Sequence, residues 1–340
     1  MVASENGSNG TEKDLSVLTV LFATRNGAQT LTGVLEAYRR LEPVRGGWKL
    51  VIVDNGSTDT SRQIIAAFER HLPLTYVFEA EAGKNTALNA GLPFVSGDLV
   101  VLTDDDAFPR SDWLIRLRDT ADANPTFGIF GGVVSPQWET EPPPWVLNWV
   151  PLAPTFTVSD STLKEGPIDG YQVFGPNMAV RAEIFDAGHR FDPSIGPTSS
   201  RRYAMGSETE FVLRVMGHGV TVWYTPTAIV DHFVRTTQMR PFWILGRAVR
   251  FGRGQCRLHL RLPTRARMSW GLQPPPNPSP RWFGFPVPLL YQLTRKTASV
   301  LLALLCVNQE KLFRSAWALS YVYGYTREAR TRAGTHWLAR

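Results

Sequence analysis

Three consecutive carboxylates, Asp104, Asp105 and Asp106, are the residues of this chain most suited to chemistry. They follow an apolar run at residues 99–103 that has the composition of a strand buried on both faces. Ligands of open α/β sheets bind outside the carboxyl ends of strands, so we expect these side chains at a crevice. Adjacent carboxylates repel one another, and a divalent cation that Asp104 and Asp106 both reach relieves the repulsion. The alternative interpretation is a solvated turn before a helix.

Strand and helix patterns alternate through the N-terminal half. Apolar runs typical of buried strands occupy residues 17–23, 50–53, 74–78, 99–103 and 127–134. Between them, apolar residues recur at helical spacing, as Leu31, Val34, Leu35 and Tyr38 do after the first run. Strands separated by single helices favour right-handed βαβ crossovers. The sequence therefore predicts an α/β fold with a mostly parallel central sheet and all polar strand ends on one edge.

The polar residues at those strand ends are types that bind a nucleotide. Thr24, Asp54 and Lys84 each come after a predicted strand, as the three aspartates do. Carboxylates accept hydrogen bonds from base or ribose donors, and an ammonium faces phosphate. The sequence has neither the dinucleotide fingerprint G-x-G-x-x-G nor the Walker motif, which excludes the two commonest phosphate cradles. A cation held by Asp106 would then neutralise a diphosphate.

Four segments resemble the nucleotide-binding half of the family 2 glycosyltransferases, which have the GT-A fold. They are VLFATRN, VIVDNGSTDTS, GKNTALNAGL and LVVLTDDDA, in the family's order and spacing. The resemblance runs from about residue 17 to residue 232. It implies an enzyme that uses a nucleotide-sugar donor, with a UDP-sugar as the expected one and Mn²⁺ or Mg²⁺ as the cofactor.

The resemblance also implies roles for individual residues. The nucleotide-binding residues that it implies are Thr24, Asp54, Lys84, Asn89, Asp104 and Asp105. Thr24 and Asp54 would contact the base end of the nucleotide. Lys84 and Asn89 would lie near the uridine or the diphosphate.

The metal site would centre on the D-x-D element formed by Asp104 and Asp106. The resemblance makes Asp106 the metal ligand and Asp104 a ribose or metal contact. His232 follows the apolar run 228–230 and Asp231, and it is a candidate to complete the metal shell or to contact phosphate. A histidine that packs in the core or caps an element is the alternative for this residue.

A second set of motifs resembles the acceptor half of the same family. GPNMAVR at 175–181 looks like the segment that leads a strand into the acceptor side, and GSETEFVLR at 206–214 resembles the G-E-D-x-D-L-x-L-R helix. The gapless match puts Glu208 at the family's catalytic Asp and Ser207 where an acid is usual, and both are departures. Glu208 is the candidate catalytic residue, with Glu210 in reserve. Glu208 as an acid favoured only by the helix dipole is the alternative.

The resemblance implies an inverting transfer to a hydroxyl of a saccharide or lipid-linked acceptor, in polysaccharide or glycolipid biosynthesis. Glu208 would take the proton of that hydroxyl as its oxygen attacks the anomeric carbon. A sugar nucleotidyltransferase is one rival hypothesis, but it usually needs a Gly-rich loop with Arg or Lys where this chain has TRNG. A nucleotide-binding protein without transferase activity is the other, because the expected acidic pair reads Ser207-Glu208.

Two loops flank the predicted acceptor site. Residues 135–171 form a long insertion that contains Trp138, Trp145 and Trp149. These rings either stack on sugars at the lip of an acceptor site or pack onto the domain. Residues 195–202, IGPTSSRR, form a cationic stretch that is a candidate lid over the diphosphate.

Charge divides the chain at residue 235. Residues 235–340 contain 18 Lys and Arg against 2 Asp and Glu, a net charge of +16, whereas residues 1–234 carry −10. Aromatic and aliphatic residues interleave with these arginines, which favours an anionic membrane surface over nucleic acid. After a proline-rich linker at 274–280, the apolar runs at 286–291 and 298–307 are shorter than the ~18 residues that span a bilayer. They predict either an interfacial helix beside anionic lipid or a helix packed on the catalytic domain.

These patterns divide the chain into four parts. We expect a disordered tail at 1–16, a nucleotide-binding half at 17–134, an acceptor half at 135–234, and a basic, partly helical region at 235–340. The tail lacks the basic and apolar regions of a signal peptide. The two cysteines, Cys256 and Cys306, provide no disulfide framework. We therefore expect a cytoplasmic protein, peripheral on the inner face of the membrane, with no nucleic-acid partner.

Overall fold

The computed structural model describes residues 17–200, 202–262 and 279–331 of the chain. The predicted tail at 1–16 and most of the proline-rich stretch at 274–280 lie outside the described residues. The elements of the first half are, in chain order, β1 (Leu18–Thr24), α1 (Ala28–Arg39), β2 (Trp48–Asp54), α2 (Ser61–Phe68), β3 (Leu74–Phe78), α3 (Lys84–Gly91), β4 (Leu99–Leu102), β5 (Ala107–Pro109), α4 (Trp113–Ala123) and β6 (Ile129–Trp138).

The second half begins with short elements and ends with long helices. Its elements are α5 (Pro144–Trp149), α6 (Leu152–Phe156), β7 (Gly166–Pro167), β8 (Met178–Arg181), α7 (Ala182–Asp186), α8 (Ser207–Met216), β9 (Val222–Val234), α9 (Pro241–Arg261), β10 (Arg281–Trp282), β11 (Phe285–Pro286), α10 (Val287–Leu305) and α11 (Gln309–Thr331). Turns of 3₁₀ helix occupy Leu92–Phe94, Gly170–Gln172, Gly175–Asn177 and Thr236–Met239.

Nine of the eleven described strands form the central sheet, in the order β3-β2-β1-β4-β8-β6-β9-β5 with β7 also paired to β9, and β10 pairs with β11 in a separate two-stranded sheet. The ladders from β3 to β4 are parallel, as is the long ladder between β6 and β9, so the predicted mostly parallel α/β sheet is confirmed. β8 is antiparallel to both β4 and β6. The fifth predicted strand, β6, is therefore separated from β4 by a strand that comes later in the chain.

The central strands are largely apolar because both faces of the sheet are covered. On β2, Leu50 and Ile52 pack with residues of α1, α2 and α4, whereas Val51 and Val53 pack with residues of α3, α7 and α8. Successive side chains of a strand point to opposite faces, so each half of the run fills one of two cores. This three-layer arrangement holds the carboxyl ends of β1, β2 and β4 at one edge.

The C-terminal helices pack against one another at very short range. α11 lies between α9 and α10. A Cβ at Gly252 would overlap the carbonyl oxygen of Tyr321, and a Cβ at Gly324 would overlap that of Val249, so the α9 and α11 backbones are in contact. The predicted helical content of this region is confirmed.

The far end of α10 has no covering element among the described residues. Leu301, Leu302, Leu304, Leu305 and Val307 are between 52% and 86% exposed. None of the described helices has the length and apolar content that crossing a bilayer requires.

Candidate active site

The turn after β4 brings Asp106 against β9. Ala107 of β5 pairs with His232 of β9, and the backbone N–H of Phe233 donates to the carbonyl of Asp106 at 2.8 Å. This register places the Asp106 carboxylate 3.3 Å from Nε2 of His232 and 3.2 Å from Nη1 of Arg235. Burial would raise the pKa of Asp106, but His232 and Arg235 lower it to about 2. Asp106 is therefore an anion at neutral pH, held between the His232 ring and the Arg235 guanidinium.

Asp105 contacts the end of β1. The Thr24 hydroxyl donates to Oδ2 of Asp105 at 2.5 Å. Burial and the neighbouring Asp106 raise the pKa of Asp105 to about 7, against the effect of the Thr24 hydrogen bond. Thr24 and Asp105, two predicted nucleotide-binding residues, thus meet at the carboxyl ends of adjacent strands.

Lys84 connects the Asp104–Asp106 turn to α8. Its Nζ lies 2.6 Å from Oδ1 of Asp104 and 2.5 Å from Oε1 of Glu208. Burial would lower the pKa of Lys84, but the two carboxylates raise it overall. Burial would likewise raise the pKa of Glu208, and Lys84 lowers it to about 2. One partly buried ammonium therefore bridges Glu208 and the Asp104–Asp106 turn.

Glu208 lies in the first turn of α8 and faces the bridge. The Ser207 hydroxyl donates to its Oε2 at 2.6 Å, and the side chain lies so close to Gly175 that a Cβ there would overlap it. Glu210 is different, because it is only 2% exposed and its carboxylate binds Arg214 at 2.9 Å. Glu208 lines the cavity described next and Glu210 does not.

These side chains line one cavity of about 770 Å³. Such a volume is within the usual range of small-molecule and cofactor sites. The residues of the sheet edge and of α8 that line it include Thr24, Lys84, Asp104, Asp105, Asp106, His232 and Glu208. Gly196, Pro197 and Thr198 of the predicted lid also line it, and the carbonyl of Pro197 accepts from the backbone N–H of Lys84 at 2.9 Å.

Two predicted nucleotide-binding residues lie outside this cavity wall. The Asp54 carboxylate accepts hydrogen bonds from the backbone N–H of Ser57 (2.8 Å) and from the Tyr76 hydroxyl (3.0 Å). The Asn89 amide donates to the carbonyl of Phe191 and accepts from its N–H, at 2.8 and 3.0 Å. The structure thus uses both side chains to hold loops at the sheet edge.

The tryptophans of the long insertion pack onto the protein. Trp145 and Trp149 lie 5.3 and 6.5 Å from Phe313 of α11, between ring centroids. Trp138 lies 5.4 Å from Phe156. None of the three lines the cavity. Of the two interpretations of these rings, packing onto the domain is the one that fits.

The side chains around Asp106 suit a divalent cation, although the described residues contain no group of three acidic, His or Cys side chains arranged to hold one. Asp106 and His232 converge within 3.3 Å, and their oxygen and nitrogen atoms both ligate Mn²⁺. Nδ1 of His232 lies 3.0 Å from the carbonyl oxygen of Phe156, a partner that orients the ring. Asp104 is held by Lys84 instead. Because Mg²⁺ sites commonly combine one or two carboxylates with substrate phosphates, two protein ligands fit a cation completed by a diphosphate.

The sequence motifs did not identify every residue around the cavity. Arg235 lies just after the end of β9, three positions beyond His232, and contacts Asp106 without lining the cavity. No local sequence pattern signals this contact, because it depends on the pairing of β5 with β9. Trp243, Arg247 and Phe251 of α9 line the cavity. Their spacing of four residues could have indicated that they act together, since residues four apart lie on one face of a helix.

The model of glycosyl transferase family 2 matches residues 19–187, about half of the chain. The succinoglycan biosynthesis protein ExoM of Rhizobium meliloti is 24% identical over 233 residues, which cover 68% of this chain and 71% of that protein. The glucosyl-dolichyl phosphate glucuronosyltransferase of Haloferax volcanii is 24% identical over 162 residues, which cover 46% of this chain and 50% of that protein.

Two solved structures share the fold. The mannosyltransferase PcManGT from Pyrobaculum calidifontis, in complex with GDP-Man and Mn²⁺, has a TM-score of 0.57 at 19% identity and covers 91% of this chain and 86% of its own. S. aureus TarS in complex with UDP-GlcNAc has a TM-score of 0.52 at 13% identity, with coverage of 94% and 92%. With the family match and the D-x-D turn at the edge of a GT-A sheet, the chain belongs to glycosyl transferase family 2 and is a glycosyltransferase.

Proposed function

We propose that this protein is a metal-dependent, inverting glycosyltransferase that moves a sugar from a UDP-sugar to a hydroxyl of a saccharide or lipid-linked acceptor. One observation carries the proposal: the D-x-D turn and the Glu208 carboxylate share a cavity and are joined through Lys84. Donor binding requires a group that binds the diphosphate on one side of the sugar, and deprotonation of the acceptor requires a base on the other side. The cavity contains both kinds of group.

Glu208 acts as the general base in this proposal. In the free enzyme its pKa of about 2 makes it a poor proton acceptor, because Lys84 stabilises the ionised form. The donor's diphosphate competes for the Lys84 ammonium. As Lys84 turns to phosphate, the pKa of the partly buried Glu208 rises toward the range in which a base is effective. Donor binding thereby prepares the base.

Inversion is supported by the distribution of carboxylates. Of the described residues that line the cavity, Glu208 is the sole carboxylate outside the Asp104–Asp106 turn. A retaining enzyme of the two-carboxylate kind would need a second carboxylate as nucleophile beside the anomeric carbon. A single base fits direct attack by the acceptor oxygen from the face opposite the diphosphate.

The leaving group is the donor's diphosphate, which gains negative charge as the bond to the sugar breaks. A divalent cation held by Asp106 and His232 would supply Lewis-acid stabilisation of that charge. Lys84 adds a fixed positive charge at the same edge of the cavity. The preference for uridine is inferred from the motif resemblance, since the related folds carry both GDP-Man and UDP-GlcNAc.

We also propose that the acceptor belongs to polysaccharide or glycolipid synthesis and is met at the inner face of a membrane. One relative is named for succinoglycan biosynthesis and another for a dolichyl phosphate substrate. On α10, Leu301, Leu302 and Leu305 are 56%, 57% and 80% exposed. Arg295 and Lys296 of the same helix supply the positive charge that anionic lipids attract.

Calorimetric titration of UDP, GDP and dTDP, each with Mn²⁺ and with EDTA, tests the donor and the metal. We expect UDP to bind and EDTA to abolish the binding. The failure of every nucleotide to bind would refute the transferase proposal, and binding unchanged by EDTA would refute the metal. Proton NMR of the transferred sugar then reports the anomeric configuration, and a retained configuration would rule out inversion.

A further inference from the structure

One face of α9 forms a wall of the cavity. Trp243, Arg247, Phe251 and Gln255 occur at intervals of four residues and all line the cavity. Residues four apart lie on one side of a helix, which explains why these four share a surface. We call this surface the α9 wall. It lies outside residues 19–187, so the family match assigns it no role.

Arg247 contributes a positive charge to the α9 wall that no carboxylate neutralises in the described part of the chain. Its hydrogen bonds there are long ones, 3.5 Å to the carbonyl of Pro154 and 3.5 Å to the hydroxyl of Thr157. Its guanidinium also lies 5.8 Å from the ring centroid of Trp243. Such a cation beside a cavity is available to an anionic ligand.

The arginines nearer the end of α9 are paired differently. Arg253 and Arg257 bind the two oxygens of Glu328, at 2.8 and 2.6 Å. Arg261 forms an ion pair with Asp192. Carboxylates therefore neutralise the arginines that hold α9 to its neighbours. The positive charge of Arg247, beside the cavity, remains available to a ligand.

Gln255 adds an uncharged polar group to the α9 wall. It is only 7% exposed and lines the cavity, on the same face of the helix as Arg247. A side-chain amide has both hydrogen-bond donors and an acceptor, so it can bind a sugar hydroxyl in the cavity.

We propose that the α9 wall is the acceptor subsite and that it takes a saccharide bearing an anionic group, a carboxylate or a phosphate. Trp243 and Phe251 provide aromatic surface for the sugar, Arg247 binds the anion, and Gln255 binds a hydroxyl. The backbone N–H of Met205 donates to the carbonyl of Arg250 at 3.2 Å, which joins α9 to the segment that leads into Glu208. This inference rests on the proposed transferase function, in which Glu208 is the base.

The test compares sugars that differ in charge. Methyl β-D-glucoside, methyl β-D-glucuronide and glucose 6-phosphate are titrated into the protein and followed by ligand-observed NMR, without donor. We expect at least one charged sugar to bind about tenfold more tightly than the neutral one, as one charge-assisted hydrogen bond provides. Arg247→Gln removes this preference, Arg247→Lys keeps most of it, and the exposed control Arg240→Gln leaves it unchanged. Equal binding of all three sugars by the wild type overturns the proposal, as does a preference that Arg247→Gln retains.

Nucleotide titrations of the same variants separate the acceptor from the donor. We expect Arg247→Gln to bind UDP with Mn²⁺ within about twofold of the wild type. A parallel loss of nucleotide binding would assign Arg247 to the donor's diphosphate and overturn the acceptor subsite. A wild-type protein that discriminates among the sugars but binds no nucleotide would refute the transferase function and leave the anion-binding wall in place.

Discussion

The ammonium of Lys84 lies 2.5 Å from Oε1 of Glu208, and the two residues are 124 positions apart in the chain. The same ammonium lies 2.6 Å from Asp104. Lys84 lies between the donor motif and the proposed base. It cannot keep its ion pairs with both carboxylates and at the same time bind a diphosphate. In the proposed mechanism, occupancy of the donor site would therefore control the protonation of Glu208.

Glu208→Gln keeps the shape of the side chain and removes its basicity. We expect kcat to fall by about 10²–10⁴, the usual contribution of a general base. The dissociation constant of UDP should change by less than about threefold, because the D-x-D turn is intact. Initial rates and calorimetry on the same preparation measure both.

Glu183→Gln is the matched control, since Glu183 is an exposed acid in the first turn of α7. Its kcat should equal that of the wild type. Normal turnover by Glu208→Gln would remove Glu208 from the chemistry.

Lys84→Gln and Glu208→Gln form a double-mutant cycle for the bridge. Lys84→Gln leaves the partly buried carboxylates of Asp104 and Glu208 without their cation and should lower the free energy of unfolding by about 1–3 kcal/mol. In the Glu208→Gln background, Lys84→Gln should lower the free energy of unfolding by a smaller amount. The difference is the coupling energy between the two side chains, which we expect to be about 1–3 kcal/mol. Urea unfolding of the four proteins at pH 7 gives these values. Additive effects would mean that the two side chains do not interact.

The coupling between Lys84 and Glu208 should also depend on pH. Because Lys84 lowers the pKa of Glu208 to about 2, below the ~4.3 of an unfolded chain, the ion pair stabilises the fold fully above about pH 5. This stabilisation is lost as the pH falls from there through the folded value. The same cycle at about pH 3 should give a smaller coupling energy than at pH 7, and an equal one would contradict the ion pair.

Asp106→Asn should reduce metal-dependent nucleotide binding by at least about tenfold, because the amide is a weaker ligand than the carboxylate and leaves His232 and Arg235 without their anion. Calorimetric titration of UDP with Mn²⁺ measures the loss. Asp119→Asn, on the exposed face of α4, is the control and should bind as the wild type does. Unchanged affinity in Asp106→Asn would exclude Asp106 as a metal ligand.

Local patterns were sufficient to predict the strands and the edge at which they end. β1, β2, β3 and β4 are rich in apolar residues, and each is followed by polar residues whose position depends only on where its own strand stops. Thr24 and Asp105 could be brought together on that basis, because β1 and β4 are neighbours in the sheet.

The contacts that could not be predicted from the sequence depend on pairing and packing between segments that are far apart in the chain. Arg235 reaches Asp106 only because β5 folds back antiparallel onto β9, and nothing in either segment encodes that register. β8 enters between β4 and β6 for the same reason. Trp145 is a residue type that can stack on sugars, but in the structure its ring packs against Phe313, which lies far along the chain in α11. Such contacts depend on the assembled tertiary structure and not on spacing.

Leu301→Ser with Leu305→Ser should weaken binding to anionic liposomes. These side chains are 56% and 80% exposed on α10, so the substitutions should leave the melting temperature unchanged within about 2 °C. Flotation with phosphatidylserine vesicles at low salt measures the bound fraction, which we expect to fall by about tenfold relative to the wild type. Leu260→Ser on α9, where the leucine is 42% exposed, is the control. A wild-type protein that does not float with these vesicles would refute the membrane proposal.

Gly254→Ala tests whether α9 must touch the segment before Glu208. A Cβ at Gly254 would overlap the carbonyl oxygen of Met205, whereas a Cβ at Gly246 of the same helix would meet only the Arg250 side chain, at 3.5 Å. We therefore expect Gly254→Ala to lower the free energy of unfolding by about 1–3 kcal/mol, because the backbones must separate. Gly246→Ala, the matched control, should be neutral or stabilising by up to about 1 kcal/mol.

The functional effect of Gly254→Ala should be confined to the acceptor. Moving α9 away from Met205 displaces Phe251 and Gln255 from the cavity, so kcat/KM for the acceptor should fall while nucleotide affinity is retained, since Lys84 and the D-x-D turn lie on the sheet edge. Steady-state kinetics with each substrate varied in turn separates the two effects. If Gly254→Ala is as stable and as active as Gly246→Ala, the close approach of α9 to the base is not needed for function.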